Sequence, residues 1–307
     1  MKLVITSNSF ASVDPEPVDL LRSAGFEIVK NPFGRLLTED ELIALCADAD
    51  AVILSTDPFT RRVAENCPKL KVVSRYGVGV DNVDIPALQD LGIALEITAG
   101  ANSSAVADHT LALMLMLSHN IAPENSAYKA GKYKKIQGKD LTDSTLGIMG
   151  LGSIGREVAR RAAGFGCRIL AYDAFYDESF VLQYGIEKAD LRTIFRECSF
   201  ISLHLPLTAE TEGIVGCQLL EEARPDLVLV NTARSGLIDK EALLEALRSG
   251  KIFAYGADVS FAEPSTDDAF AGFDNVVITP HSATVTDGAV RKVSMAAAEN
   301  VLKYFRQ

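Results

Sequence analysis

The stretch TLGIMGLGSIGREVA, residues 145–159, decides the architecture of this chain. Thr145 to Met149 has strand character, Gly150-Leu151-Gly152-Ser153-Ile154-Gly155 punctuates it, and REVARRAAGFG continues as a helix. A second strand, RILAYD, then ends in Asp173. Strand, glycine turn, helix and acid-terminated strand form a unit that binds a dinucleotide. Gly150 permits the tight turn, Gly152 lets the backbone approach a pyrophosphate, and Gly155 lets the helix pack close to the strand. The helix N-terminus, at Ser153 and Ile154, offers N–H groups to the anion. Asp173 follows Gly155 at about the 20-residue spacing of a carboxylate that accepts hydrogen bonds from a ribose. A 2′-phosphate would meet that charge, and the AFYDE that follows has no arginine to receive it, so NAD is expected rather than NADP.

The alternation extends outward from this unit. Before it, β-rich runs stand at KLVIT, FEIVK, AVILS, LKVVS and IALEI. Between them lie helical segments: DPEPVDLLRSAG has prolines in its first turn and Gly25 as a stop, and TEDELIALCADA opens with a capping box of Thr38 and Glu41. Five strands with four intervening helices imply a parallel sheet covered on both faces. NSSAVADHTLALMLMLSHN reads as a long helix starting near Asn102, followed by a polar, lysine-containing connection over 123–145. After it TLGIMG, CRILAYD, FISLHL, LVLVNT, FAYGADV and NVVITP read as six further strands, and one last helix runs from about Thr286 to Gln307. The expected fold class is α/β, with two doubly wound parallel-sheet domains: a flavodoxin-like substrate domain and a Rossmann NAD-binding domain.

Composition narrows the function. With 48% hydrophobic and 23% charged residues the chain is globular rather than disordered. Five scattered cysteines, with no CxxC, argue for reduced thiols in a cytoplasmic protein and against a disulfide frame or a metal site. The N-terminus is too short in its apolar part for a signal peptide, and TLALMLMLSHNIA lacks the length of a membrane span. A net charge of −11 makes nucleic acid an unsuitable partner, and an anionic substrate would need a local cationic pocket.

Beyond the glycine motif, polar residues gather at the carboxyl ends of strand candidates, where an open parallel sheet binds its ligands. Arg234 follows LVLVNTA, Asp258 ends FAYGA with Glu263 shortly after, and His281 follows NVVITP. Hydride transfer between a 2-hydroxy acid and NAD requires removal of the hydroxyl proton, which a histidine takes near neutral pH. A carboxylate on its other ring nitrogen fixes the tautomer, and an arginine holds the substrate carboxylate in a fork that lysine cannot match. His109, His119 and the Met114/Met116 pair read as packing or surface groups, and Ser104 and Asp108 as neighbours of the site or of a subunit contact.

Together SRYGVGVDNVD, NSSAVADHTLALML, TLGIMGLGSIGREVA, SLHLPLT, NTARSGLID, GADVSFAEP and TPHSATVT resemble the D-isomer-specific 2-hydroxyacid dehydrogenases along nearly the whole chain. The resemblance implies Arg234, Glu263 and His281 as the catalytic set. It implies Asp258 on the nicotinamide carboxamide, His204, Leu205 and Pro206 on the adenine side, and Thr232, Ala233, Ser282 and Ala283 against the cofactor. It implies Tyr76, Gly77, Val78 and Gly79 at the substrate carboxylate, a homodimer through the NAD-binding domains, and a substrate domain of residues 1–100 and 284–307 around a cofactor domain of 101–283. Ser153 stands where the family often has arginine, so one pyrophosphate contact is expected to be lost. Within the family the chain most resembles the phosphoglycerate dehydrogenases, because Arg75 stands where that group carries an arginine facing phosphate. Leu54 and Asp57 speak against a phosphate site unless Arg61, Arg62 or Lys132, Lys134 and Lys135 of a neighbouring subunit compensate, and no appended regulatory domain is expected after the last helix. Phosphoglycerate is therefore the leading substrate, with glyoxylate or hydroxypyruvate reduction next. An NAD-sensing module without turnover is a third reading, and formate or phosphite oxidation a fourth. Formate enzymes use Gln where Glu263 stands.

Overall fold

The computed structural model describes residues 1–263 and 265–306. Gln307, which the sequence places in the last helix, lies outside them. The chain divides into two compact units, Met1–Asn102 with Thr284–Gln307, and Ser103–Ala283.

In the first unit β1 (Lys2–Ile5), β2 (Glu27–Lys30), β3 (Ala51–Leu54), β4 (Val72–Arg75) and β5 (Ala94–Ile97) form a five-stranded sheet of order β2-β1-β3-β4-β5. Every pairing is parallel. The connections are α1 (Glu16–Ser23), α2 (Glu39–Cys46), α3 (Arg61–Glu65) and α4 (Ile85–Asp90). The strands read as continuous apolar runs because both faces are covered. Alternation still sorts their side chains. Val4, Val52, Leu54 and Val73 pack with Leu42, Val63 and Leu88 of α2, α3 and α4. Leu3, Ile5, Ala51, Ile53 and Val72 face the other way, onto Val18 and Leu21 of α1. Each such side chain contributes roughly 1.5–3 kcal/mol by leaving water. The capping box is formed: the Thr38 hydroxyl accepts from the Glu41 amide at 3.3 Å, and the Glu41 carboxylate accepts from the Thr38 amide at 2.9 Å.

The second unit begins with α5 (Ser103–Ser118) and α6 (Ile121–Lys129). Its strands are β6 (Thr145–Met149), β7 (Arg168–Tyr172), β8 (Glu187–Lys188), β9 (Phe200–Leu203), β10 (Val228–Asn231), β11 (Ala254–Ala257) and β12 (Val276–Ile278). They form a parallel seven-stranded sheet of order β12-β11-β10-β9-β6-β7-β8, with α7 (Ser153–Ala162), α8 (Glu178–Tyr184), α9 (Leu191–Glu197), α10 (Cys217–Glu222) and α11 (Lys240–Arg248) between strands. The chain then returns as α12 (Asp287–Arg306), whose Ala297, Ala298, Val301 and Leu302 join the α1 face of the first sheet. The Ser74 hydroxyl of β4 donates to the Ala297 carbonyl at 3.0 Å.

Two elements differ from the sequence reading. β8 adds a seventh strand at the sheet edge; a two-residue Glu-Lys pairing carries no apolar pattern to announce it. The polar connection after α5 contains a helix, α6, none of whose residues is buried. No described helix is long and apolar enough to cross a membrane.

Candidate active site

Where β6 ends, Gly150 takes φ +100°, and a Cβ on it would stand 2.6 Å from the backbone carbon of His204. Only glycine allows the two strand-end turns to approach so closely. A Cβ on Gly155 would lie 1.9 Å from the Gly150 carbonyl oxygen, so this glycine lets α7 begin directly over the turn. A Cβ on Gly152 would meet nothing within 4 Å, and no side chain caps α7 there. Open space next to a helix start with uncapped N–H groups, including those of Ser153 and Ile154, fits a pyrophosphate. At the end of β7, the Asp173 carboxylate accepts from the Leu151 amide of the glycine turn, and from the Phe175 amide at 3.0 Å. It is thus held beside the turn where a ribose would lie.

On the neighbouring strand end the His204 amide donates to the Met149 carbonyl at 2.7 Å. Its two ring nitrogens are buried without a hydrogen-bond partner, and burial pushes the imidazole pKa down to about 3. Leu205 is buried, and the Pro206 carbonyl accepts from the Thr211 hydroxyl at 2.6 Å.

The turns after β10, β11 and β12 carry the other polar groups. Asn231, fully buried at the end of β10, donates to the Arg234 carbonyl at 2.8 Å and accepts from the Ala233 amide at 3.0 Å. That brace leaves Arg234 extended, with one guanidinium nitrogen donating to the Ala233 carbonyl at 2.8 Å. The Thr232 hydroxyl meets that of Thr110 on α5 at 2.9 Å. Glu263 and His281 come together: Nδ1 of His281 lies 3.2 Å and 3.3 Å from the two carboxylate oxygens. Burial opposes ionisation of Glu263, but the hydrogen bond from His281, its charge, the Ser260 amide and the Arg234 charge outweigh it. The carboxyl is therefore held below its ordinary value. His281 itself has φ +52°, in the left-handed region, and its side chain is exposed. With Nδ1 engaged on Glu263, Nε2 is the nitrogen left to meet a substrate.

Asp258 is almost fully buried. It accepts from the Thr279 hydroxyl at 2.6 Å and from the amides of Ser282 and Ala283 at 2.8 Å each. A carboxylate has about four acceptor positions, so one remains for a carboxamide N–H.

In the first unit, the turn after β4 is organised from beneath by Arg75, which is 4% exposed. Its guanidinium donates to the carbonyls of Gly79 at 2.8 Å, Tyr76 at 2.6 Å and Leu54 at 3.4 Å. Gly77 has φ +145°, and a Cβ there would come within 2.9 Å of that guanidinium. The Gly77 amide donates to the Thr98 hydroxyl at 2.9 Å, whereas the next amides, of Val78 and Gly79, have no acceptor among the described residues. Two consecutive open N–H groups at a strand end can receive a carboxylate. Asn231, Thr98 and Thr279, which support these turns, were not singled out by the sequence. Their only signal is a hydrogen-bonding side chain at a strand end.

A glycine turn that fits a dinucleotide, on the sheet that also carries a histidine–carboxylate pair, defines a nucleotide-dependent oxidoreductase. Comparison with known proteins narrows the class. The model of the family described as D-isomer specific 2-hydroxyacid dehydrogenase, NAD binding domain, matches residues 111–283. Hydroxypyruvate reductase of Thermotoga maritima is 39% identical over 87% of this chain and 88% of its own. D-3-phosphoglycerate dehydrogenase of Methanocaldococcus jannaschii is 38% identical over 88% of this chain, which spans only 52% of that longer protein. The crystal structure of the TT0316 protein from Thermus thermophilus superposes with a TM-score of 0.89 at 31% identity, covering 100% of this chain and 97% of that one. The chain belongs to the D-isomer-specific 2-hydroxyacid dehydrogenases, and its second unit contains their NAD-binding domain.

Proposed function

We propose that this protein reduces a small 2-oxo acid with a neutral tail, hydroxypyruvate or glyoxylate, to the corresponding D-2-hydroxy acid. The observation that carries the choice is Arg75, whose guanidinium is buried and bound to three backbone carbonyls. A phosphate dianion calls for several charge-assisted donors. Arg61 and Arg62 are also engaged, on Asp90 and on Glu39 and Asp40. An uncharged tail needs none of them.

Bound NAD supplies or accepts the hydride. Arg234 holds the substrate carboxylate, which a chain of net charge −11 attracts only through local donors. In the first unit the Val78 and Gly79 amides are donors of the kind a carboxylate takes. His281 gives its Nε2 proton to the C2 oxygen as it gains charge, and takes it back in the reverse direction. Glu263 keeps Nδ1–H occupied, so the orientation of the ring is set and Nε2 is the nitrogen turned to the reaction. Asp258 receives the carboxamide and Asp173 the ribose.

The test is NADH oxidation by the purified protein against 3-phosphohydroxypyruvate, hydroxypyruvate, glyoxylate, pyruvate and 2-oxoglutarate. We expect kcat/KM for hydroxypyruvate or glyoxylate to exceed that for the phosphorylated acid by at least about tenfold, the low end of the discrimination a pocket makes between substrates that differ by one group. Preference for 3-phosphohydroxypyruvate would sink this reading in favour of a phosphoglycerate dehydrogenase, a role supported by the M. jannaschii relative. Cofactor binding without turnover on any acid would favour an NAD-sensing module.

We also read the protein as a cytoplasmic homodimer joined through the second unit. α6 buries none of its residues within the chain; its Tyr128 is 71% exposed, and Tyr133, just past its end, 84%. Large exposed apolar groups of this kind mark association surfaces. The free thiols of all five cysteines, four of them buried, suit a reducing compartment.

A further inference from the structure

We propose that His109 is a positioning residue for the reaction: from α5 it orients the Thr279 hydroxyl, and through it the turn that presents His281. The inference rests on the reading of His281 as the proton carrier. Its basis is a chain of hydrogen bonds whose direction can be assigned. The Thr279 hydroxyl lies 2.6 Å from Oδ1 of Asp258 and 2.9 Å from Nε2 of His109. A hydroxyl has one proton, and a carboxylate only accepts. Thr279 therefore donates to Asp258 and accepts from His109, which fixes the proton of His109 on Nε2. The same nitrogen stands 3.6 Å from the Asp258 carboxylate oxygen.

That carboxylate holds the whole turn. Besides Thr279 it takes the amides of Ser282 and Ala283, so positions 279, 282 and 283 converge on one buried side chain. His281 lies among them at φ +52°, and its amide donates to the Thr279 carbonyl at 2.9 Å. A left-handed histidine persists only where its surroundings over-determine it. Without the N–H of His109, the Thr279 hydroxyl is free to turn its proton to the Ala257 carbonyl, 3.2 Å away, and one of the three ties to Asp258 is lost. The adjacent residue repeats the device: Thr110 donates to the Val106 carbonyl at 2.8 Å and so accepts from Thr232, beside Arg234. α5 thus steadies the turns after both β10 and β12.

The experiment compares His109→Leu, His109→Gln, Thr279→Val and Thr279→Ser, with hydroxypyruvate and NADH as substrates and thermal melting as the check on folding. His109→Leu should lower kcat about tenfold, with KM for the acid and Kd for NADH within about threefold, because a small displacement of a reacting group acts on the chemical step. His109→Gln, which keeps an N–H donor at the same reach, should recover most of kcat. Thr279→Val should lower kcat as His109→Leu does, Thr279→Ser should not, and the double variant should lose no more than either single one. Equal losses for Leu and Gln, additive losses in the double variant, or wild-type kcat in Thr279→Val would each overturn the proposal. Should His109→Leu not fold, the Thr279 pair decides alone. Turnover retained by His281→Asn would instead defeat the reading of the site, whereas an inactive His281→Asn beside fully active His109→Leu and Thr279→Val would defeat only the role of His109.

Discussion

His281 joins an exposed imidazole, a carboxylate partner 3.2 Å from Nδ1 and a left-handed backbone. Replacing it with Asn keeps a polar side chain that tolerates the same φ, but removes the ionisable ring. Turnover should fall roughly 10²–10⁴-fold, while NADH binding, followed by cofactor fluorescence, stays within about twofold. Near-normal turnover would take His281 out of the reaction. His204 is the opposite kind of histidine. Part of the residue reaches solvent, yet both ring nitrogens are buried and unpaired, and the pKa is about 3 against an ordinary 6.5. The unfolded chain binds a proton below pH 6.5 that the folded chain refuses down to about pH 3. The stability tied to neutral His204 is therefore complete above pH 6.5 and drains away as pH falls through that window. Between pH 7 and pH 5 the loss should be about 2 kcal/mol. His204→Met, which cannot titrate, should flatten the acid side of a urea-midpoint profile, and an unchanged slope would show that the ring is protonated in the native state.

At the scale of the element, α7 and its glycine turn offer a clean division between folding and binding. A methyl group on Gly155 would collide with the Gly150 carbonyl at 1.9 Å, so Gly155→Ala should cost stability and cofactor affinity together. A Cβ on Gly152 would meet nothing within 4 Å, and its φ of −70° is ordinary, so Gly152→Ala should leave the melting temperature nearly unchanged. If a pyrophosphate lies against that backbone, the same methyl should raise the Kd for NADH about tenfold or more, the scale of a lost close contact. Unchanged affinity in Gly152→Ala would move the pyrophosphate away from this turn.

Sedimentation of the purified chain should give the mass of a dimer, and replacing Tyr128 and Tyr133 with Glu should shift it toward monomer, since a charge in a dry apolar interface goes unpaired. A monomer for the unaltered chain would refute the dimer. Membership of a dehydrogenase family agrees with the two sheets, whose strand orders reverse between β1 and β3 and between β6 and β9. At such reversals an open α/β sheet gathers its ligand-binding turns.

Whatever depends on neighbours along the chain could be read without the fold. The apolar runs of β3 and β4, the capping box at Thr38 and Glu41, and the order strand–glycine–helix–Asp173 are local patterns read by period and spacing. β8 and α6 escaped that reading because neither carries an apolar stripe. The positions of Arg234, Glu263 and His281 in the turns after β10, β11 and β12 were legible too, since a parallel sheet puts all its carboxyl strand ends on one side. Tertiary structure alone decided how the polar groups were partnered. Arg75 reads as a phosphate ligand in sequence but binds carbonyls at Leu54, Tyr76 and Gly79. His109 reads as a packing residue but reaches a hydroxyl 170 residues away. A charge or a hydrogen-bonding group has no period, and its role is set by whichever partner the fold brings within about 3 Å.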